Sequence, residues 1–296
     1  MLRLAVANRE ETFERMADPL EERGIEAVHV PARERAIALT GDDPFDATDD
    51  GRFAPDGFDA GFVFPGRIME GGAVDALLDV PWLNGREAVL TSRNKGAVIA
   101  ELGQAGLPVP ETVMVSNPAD RADLVDAFER FDPPVVVKPN SATRGAGVAK
   151  AHDLDSFLGV VDYLDLVHDY RATGDKTFLV QEYLPEATDY RAMVVDGEFV
   201  GAVERRLPGD ALAAGQWKHN VHRGAVAEGV DLSAELCRLA ERTAATLGVR
   251  FLGVDLLVTP DRTVVNETNA RPTIDAATKY RPDFYDRIAT AIRDLV

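Results

Sequence analysis

Cysteine is all but absent: the 296-residue chain holds one, Cys237. A single thiol excludes an internal disulfide framework and any zinc site built from several cysteines. Lysine is scarce too, with 6 residues against 26 arginines, and the basic side chains total 32 against 50 acidic ones, a formal net charge of −18. So negative a chain excludes the DNA or RNA backbone as a partner, because phosphate binding needs a basic face, and it disfavours an anionic membrane. No run of 18 apolar residues is present to span a bilayer. The opening Met1–Asn8 stretch turns polar too soon for a secretory leader. Neither G-x-x-x-x-G-K-[S/T] nor G-x-G-x-x-G occurs, which leaves no P-loop and no dinucleotide fingerprint. What is present, 46% apolar residues in a chain of this length, is enough for a packed core in one large or two to three small domains. The expectation is a soluble, cytoplasmic, globular protein. Asp (30) outnumbering Glu (20), with so few lysines, points to a salt-adapted proteome in which ions screen the self-repulsion. An ordinary acidic protein is the plainer alternative.

Along the chain, Leu2–Ala7 and Ile25–Val30 read as strands around a helix at Glu10–Arg23, which aligns Phe13, Met16 and Leu20 and stops at Gly24. Pro19 inside that helix predicts a kink or an early end. The Asp-rich segment Thr40–Gly57 is a loop. Phe58–Phe64 is a strand ending in the turn Pro65-Gly66-Arg67, and strand ends in open α/β sheets face ligands. Arg67 is therefore a candidate for an anionic substrate group, a surface arginine being the alternative. A second unit starts near Thr91, with a helix over Arg93–Leu102, a linker at Leu107–Pro110, a strand at Thr112–Val115 and a helix at Ala119–Phe131. Val135–Lys138 and Val148–Ala151 flank a polar loop, and Phe178–Tyr183 is a further strand. Asp189–Val195 and Phe199–Glu204 form a hairpin through Asp196-Gly197. An amphipathic helix spans Leu232–Leu247, with Asp231 or Ser233 as its cap and Gly248 as its stop. Two last strands, Leu252–Val258 and Thr263–Asn269, surround Pro260-Asp261.

Two constellations carry chemistry. A buried strand that ends in a lysine, Lys138, strands an expensive charge unless it meets a partner. Gly145 and Gly147 follow it, in a loop whose amides can approach an anion, with Thr143 and Arg144 adding a hydroxyl and a cation. A structural hairpin is the competing reading. The second constellation is Asp255 with Glu267 and Asn269, hard oxygen donors of the kind that suit magnesium bridging to phosphates; a solvated strand face is its alternative. Asp255 joins the other two only if an odd loop, Pro260-Asp261-Arg262, or an equivalent bulge sets it opposite Glu267. His219 and His222 lack an acid partner at useful spacing, Cys237 fits a helix core, and Trp217-Lys218 packs a loop near the site.

In order and type these motifs resemble the ATP-grasp ligases, most closely their RimK-like amino-acid ligase group, well over about residues 91–275 and loosely before them. The resemblance implies an α/β (α+β) ATP-grasp fold: a Rossmann-like pre-ATP-grasp domain at 1–90, a small lid subdomain at 91–180 and a metal-bearing C-terminal subdomain at 181–296. It assigns ATP to Lys95, Lys138, the lid residues Arg144, Gly145 and Gly147, the adenine hinge Gln181, Glu182, Tyr183 and Leu184, and Asp189 with Arg191. It assigns Mg2+, or Mn2+ in its place, to Asp255, Glu267 and Asn269. Arg206, Arg223 and Asn220 take catalytic positions, and Arg67, Arg205 and Arg271 are candidates to receive an anionic acceptor. The activity implied is ATP-dependent joining of L-glutamate or another amino acid to a carboxylate of a peptide or glutamyl coenzyme, with a homo-oligomer as one possible assembly. Asn94 stands where the family has Asp, Ala142 where it has Gly, and Arg271-Pro272-Thr273 where it has Ser-Pro-Gly, which leaves the substrate open. The runners-up are a silent nucleotide-binding regulatory protein and a kinase.

Overall fold

A computed structural model describes residues 1–8, 10–33, 36–40, 57–142, 145–168, 175–219 and 224–296. The candidates Arg144, Asn220 and Arg223, with Thr143 and His222, lie outside the described residues.

Three sheets organise the chain. The first comprises β1 (Leu2–Val6), β2 (Ile25–His29), β3 (Ala60–Val63) and β4 (Trp82–Asn84), with helices α1 (Glu10–Glu21) and α2 (Ile68–Leu78). Its strands run parallel in the order β2-β1-β3-β4, and their near-continuous apolar runs fit strands covered on both faces. Helix α1 continues past Pro19 and ends at Glu21, two residues short of the expected Arg23. A proline cannot donate to the carbonyl four residues back, here that of Arg15. The Tyr285 hydroxyl donates to the Arg15 carbonyl instead, at 2.7 Å, so the acceptor is satisfied and the helix persists.

The expected single helix over Arg93–Leu102 is two: α3 (Arg86–Arg93) and α4 (Lys95–Gln104). Asn94 separates them and caps α4, its Oδ1 accepting the Ala97 amide at 3.1 Å. The second sheet holds β5 (Thr112–Ser116), β6 (Val135–Pro139), β7 (Ala149–Ala151) and β8 (Thr177–Glu182) in antiparallel order β5-β8-β6-β7, under α5 (Arg121–Glu129) and α6 (Leu154–His168). Phe128 and Phe157 centre its own core.

The third sheet is antiparallel, in the order β11-β10-β9-β12-β13: β9 (Thr188–Val195), β10 (Glu198–Arg206), β11 (Val226–Val230), β12 (Phe251–Val258) and β13 (Thr263–Asn269). Helices α7 (Gly209–Ala213), α8 (Ala234–Leu247) and α9 (Phe284–Arg293) accompany it. The hairpin turn has φ of 50° at Asp196 and 82° at Gly197, the left-handed pair a two-residue turn needs. Ser233 rather than Asp231 caps α8, and Gly248 ends it at φ 62°. One face of this sheet packs on α8 and α4 through Ala192, Val254, Leu239 and Val98; α4 thus joins the third sheet although it precedes the second in sequence. The other face changes character along its length. At one end Met193, Val195 and Phe251 join Leu4, Phe62 and the helix α9 residues Phe284, Ile288 and Ile292 in a shared core. At the other end, two and four residues along the same strands, stand Arg191, Asp189 and Asp255. The candidate site begins where that face passes from core to polar surface.

Candidate active site

Lys138 leaves the apolar face of β6 by strand alternation: Val135 and Val137 enter the second core, and the lysine turns away from it. It is 4% exposed and donates from Nζ to Gln181 Oε1 at 3.0 Å, while Gln181 Nε2 donates to Thr112 Oγ1 at 2.9 Å. Burial pushes the Lys138 ammonium down to about 8; Glu267 and Asp255 pull it up and Lys95 presses it down further. Lys95 opens α4 because Asn94 breaks the helix there. Its buried Nζ donates to the Ala142 carbonyl at 2.5 Å and lies 3.5 Å from Glu267 Oε1. Lys95, from α4, thus pairs with Glu267, and the charge of the same acid acts on Lys138, from β6.

The acidic side is set by register. Val258 pairs with Thr263 across the four residues Thr259–Arg262, an even loop that alone would put Asp255 opposite Asn266. A bulge after Asp255 lets Leu256 face Val265 and Asp255 face Glu267. The parity that the trio requires is supplied by this bulge, not by a three-residue loop. Gly253 faces Asn269, whose Oδ1 accepts the Arg271 amide at 2.8 Å.

Asp255 is 5% exposed and gripped by two arginines. Arg191 donates Nε and Nη2 to its two oxygens at 2.7 and 2.8 Å, and Arg205 Nη2 lies 2.9 Å from Oδ2. Burial opposes the charge, but Arg191 and Arg205 outweigh it and hold the carboxyl at about 2. Arg205 also donates from Nε to Asp189 Oδ1 at 2.9 Å. For Asp189, burial exceeds that attraction, and the Asp255 charge adds to it, so the acid rises to about 6. His219 Nδ1 lies 3.9 Å from Asp189; burial first, then Arg205, lowers its pKa.

Gly145 and Gly147 adopt φ of 65° and 71°, and a Cβ on Gly147 would stand 2.7 Å from Pro139 Cγ. Only glycine fits that approach. The Glu182 side chain is engaged in structure, accepting the Glu111 amide at 2.7 Å and pairing with Arg262. Tyr183 meets Trp217 edge-on at 5.9 Å, with Lys150 Nζ 4.5 Å from the Tyr183 ring centre. Leu184 is half-buried beside it.

Arg206 does not join the cluster. Strand pleating turns it to the face opposite Arg205, where it is exposed and pairs with Glu204, 2.7 Å away at the second contact. The acceptor candidates divide as well: Arg205 is locked between Asp189 and Asp255, whereas Arg67, 3.2 Å from Glu70, and Arg271 lie at the first sheet. Residues not singled out from the sequence complete the frame. Asn140 Oδ1 accepts the Gly96 amide at 2.8 Å and its Nδ2 donates to Asn94 Oδ1 at 3.0 Å. Ser92 Oγ accepts the Ala270 amide at 2.9 Å, and buried Asn84 donates to the Phe251 and Ala270 carbonyls. An asparagine right after V-V-V-K-P was the available signal for Asn140.

The donor set fits a hard divalent cation. No group of three or more His, Cys, Asp or Glu suited to a metal occurs among the described residues. A cation at Asp255 and Glu267 would thus draw further oxygens from the Asn269 amide, water and phosphate, which is magnesium's habit. No described helix is long and apolar enough to cross a membrane.

Residues 92–292, more than half of the chain, match the model of the RimK-like ATP-grasp domain. The chain belongs to the RimK-like ATP-grasp family. A probable alpha-L-glutamate ligase of Shewanella halifaxensis (strain HAW-EB4) is 30% identical to this family member over 200 residues, 67% of this chain and 41% of that protein. The chain thus spans less than half of that relative's length. The structure of D-cycloserine synthetase DcsG superposes at a TM-score of 0.73, with 17% identity, over 99% of both chains. The ATP-grasp ligase PsnB, solved with a phosphomimetic variant of its minimal precursor, Mg and ADP, gives 0.66 at 17% identity, over 99% of this chain and 98% of that one. The ATP-grasp fold therefore extends through the first sheet, which the RimK-like match leaves out.

Proposed function

We propose that this chain is an ATP-dependent carboxylate–amine ligase that works through an acylphosphate and adds L-glutamate, or another amino acid, to a carboxylate of a peptide or a glutamyl-bearing small molecule. The observation that carries the reading is the 3.5 Å pairing of Lys95, from α4, with Glu267 of the third sheet, beside the buried Lys138 of β6, whose charge is felt by Glu267, Lys95 and Asp255. Such a centre suits a triphosphate: cations for its oxygens, acids for the metal it brings.

A carboxylate resists attack by an amine because its leaving oxide is too basic. Transfer of a phosphoryl group from ATP converts that oxide into phosphate, a competent leaving group, and the amine then completes the amide. Such chemistry asks the protein mainly for positioning and charge neutralisation. Lys95, Lys138 and the amides of Gly145 and Gly147 hold the phosphates, and the segment Gln181–Leu184 receives the adenine. Asp255, Glu267 and Asn269 would hold magnesium, with manganese as a substitute, and the ion supplies neutralisation of phosphate charge. With Arg206 on the far face, the arginine beside the reacting phosphate is Arg191, half-buried and next to Asp255. Arg223 and Asn220 keep their proposed catalytic places on sequence grounds. The second sheet, with the loop of Gly145 and Gly147, acts as the lid that closes on the third sheet to exclude water from the acylphosphate, and the first sheet receives the acceptor. A cytoplasmic, high-salt setting and a homo-oligomeric assembly belong to the same proposal.

The decisive experiment incubates the protein with ATP, Mg2+ and L-glutamate against small-molecule extract, following ADP release and product mass. A glutamyl mass shift that requires ATP is the expected result. ATP bound without turnover under any amino acid would favour the silent regulatory protein, and ADP release without any amine would favour a kinase.

A further inference from the structure

We infer that the carboxyl edge of the first sheet anchors a substrate carboxylate that does not itself react, held by Arg93 and Arg271 beside Asn8. The ligand class rests on the ligase reading; the site rests on geometry of its own. Arg271 donates from Nη2 to the Ala7 carbonyl at 3.1 Å and from Nη1 to the Val63 carbonyl at 3.4 Å and to that of Phe64. Arg93 Nη2 donates to the Gly66 carbonyl. These carbonyls are the ends of β1 and β3, the edge at which parallel sheets meet ligands.

Neither arginine meets a carboxylate among the described residues. Neutral carbonyls orient a guanidinium without cancelling its charge, and both side chains are only half-buried, so an incoming anion can reach them. A second, independent sign is Asn8, next in the chain to Ala7: it is 7% exposed and its Oδ1 finds no hydrogen-bond partner among the described residues. An orphaned buried acceptor calls for an explanation, and an N–H of the ligand provides one.

The location defines the ligand further. Arg93 precedes Lys95 by two residues and Arg271 follows Asn269 by two, so each stands roughly 6–7 Å along the chain from a member of the phosphate centre. A molecule whose reacting carboxylate lies at Lys95 and Glu267 reaches the arginines only with a second carboxylate one short spacer away. The class is a short dicarboxylate, or an amino acid with an acidic side chain, carrying an N–H for Asn8.

Calorimetric titration of the full chain without ATP tests this, with glutarate and L-glutamate as probes and neutral valeramide as control. Saturable binding of both acids and none of valeramide is expected. Arg93→Gln should weaken the acids at least tenfold, and Asn8→Asp likewise by adding a like charge, both with melting temperatures near wild type. Lys138→Met should lose ATP binding and keep glutarate. Wild-type glutarate affinity in Arg93→Gln and Asn8→Asp, or equal binding of valeramide, overturns the anchor. The two readings fail separately: glutarate bound at the arginines of a protein that never releases ADP removes the ligase and keeps the anchor. ADP release with unchanged KM in Arg93→Gln does the reverse.

Discussion

Arg205 and Arg206 are neighbours in sequence and opposites in surroundings. The first is 7% exposed, tied to Asp189 and Asp255 in the centre of the charged cluster; the second is exposed on the back of the same strand, paired with Glu204. A one-residue step along a strand exchanges faces, so two identical side chains carry different energies. On the buried face each charge is removed from water and must be matched, whereas outside solvent does the matching.

Substitutions can break that contrast, and the largest effect belongs to the site face. Glu267→Ala should abolish turnover, lowering kcat at least about a thousandfold, while the melting temperature stays near wild type; ADP release at saturating ATP measures it. Retained turnover would remove the acid from the metal site. Next comes Arg205→Met, which strands Asp189, leaves Asp255 to Arg191 alone, and should cost about 3–5 kcal/mol in denaturant unfolding. A loss under about 1 kcal/mol would mean that the network contributes little to the fold.

A smaller effect concerns pH. Lys138 sits at about 8, below its ordinary value, so its charge is lost in the unliganded protein as pH rises through 8. Affinity of the two-lysine centre for phosphate should fall with it: kcat/KM for ATP declines up to about tenfold per pH unit above 8. Lys138→Arg, which stays charged, should remove that limb. Stability runs the other way. The folded group is depressed, so the cost of burying its charge is relieved as pH climbs from about 8 to the unfolded value, and unfolding becomes harder across that window. At the small end, Arg206→Ala should change stability by no more than about 0.5 kcal/mol and leave kcat unchanged, as a surface pair predicts. A large loss of kcat there would return the catalytic role to Arg206.

Much of the centre was legible because its signals are local. A lysine closing an apolar strand, glycines after it, and an acid–x–amide pair on one strand each announce themselves within a few residues. The pairing of Asp255 with Glu267 was legible as a requirement, but not the bulge that meets it, since nothing in Thr259–Arg262 states how a ladder slips. Alternation made it certain that Arg205 and Arg206 part company, yet not which faces the site; that depends on α4 and α8 covering the back of the sheet, a long-range choice. The Asn94 break hides in a run that reads as one helix, because an asparagine cap competes only modestly with helix continuation. The partner of the carbonyl that Pro19 leaves unpaired was hidden for a similar reason: the hydroxyl that donates to Arg15 is that of Tyr285, and no local pattern connects the two.

Helix α9 closes the core begun by β1 and β3. During synthesis, β1 and β3 leave the ribosome before residues 284–292, with Leu4 and Phe62 lacking their final cover until α9 follows. A chain lacking that stretch would bare the apolar side chains of β1 and β3 that α9 covers.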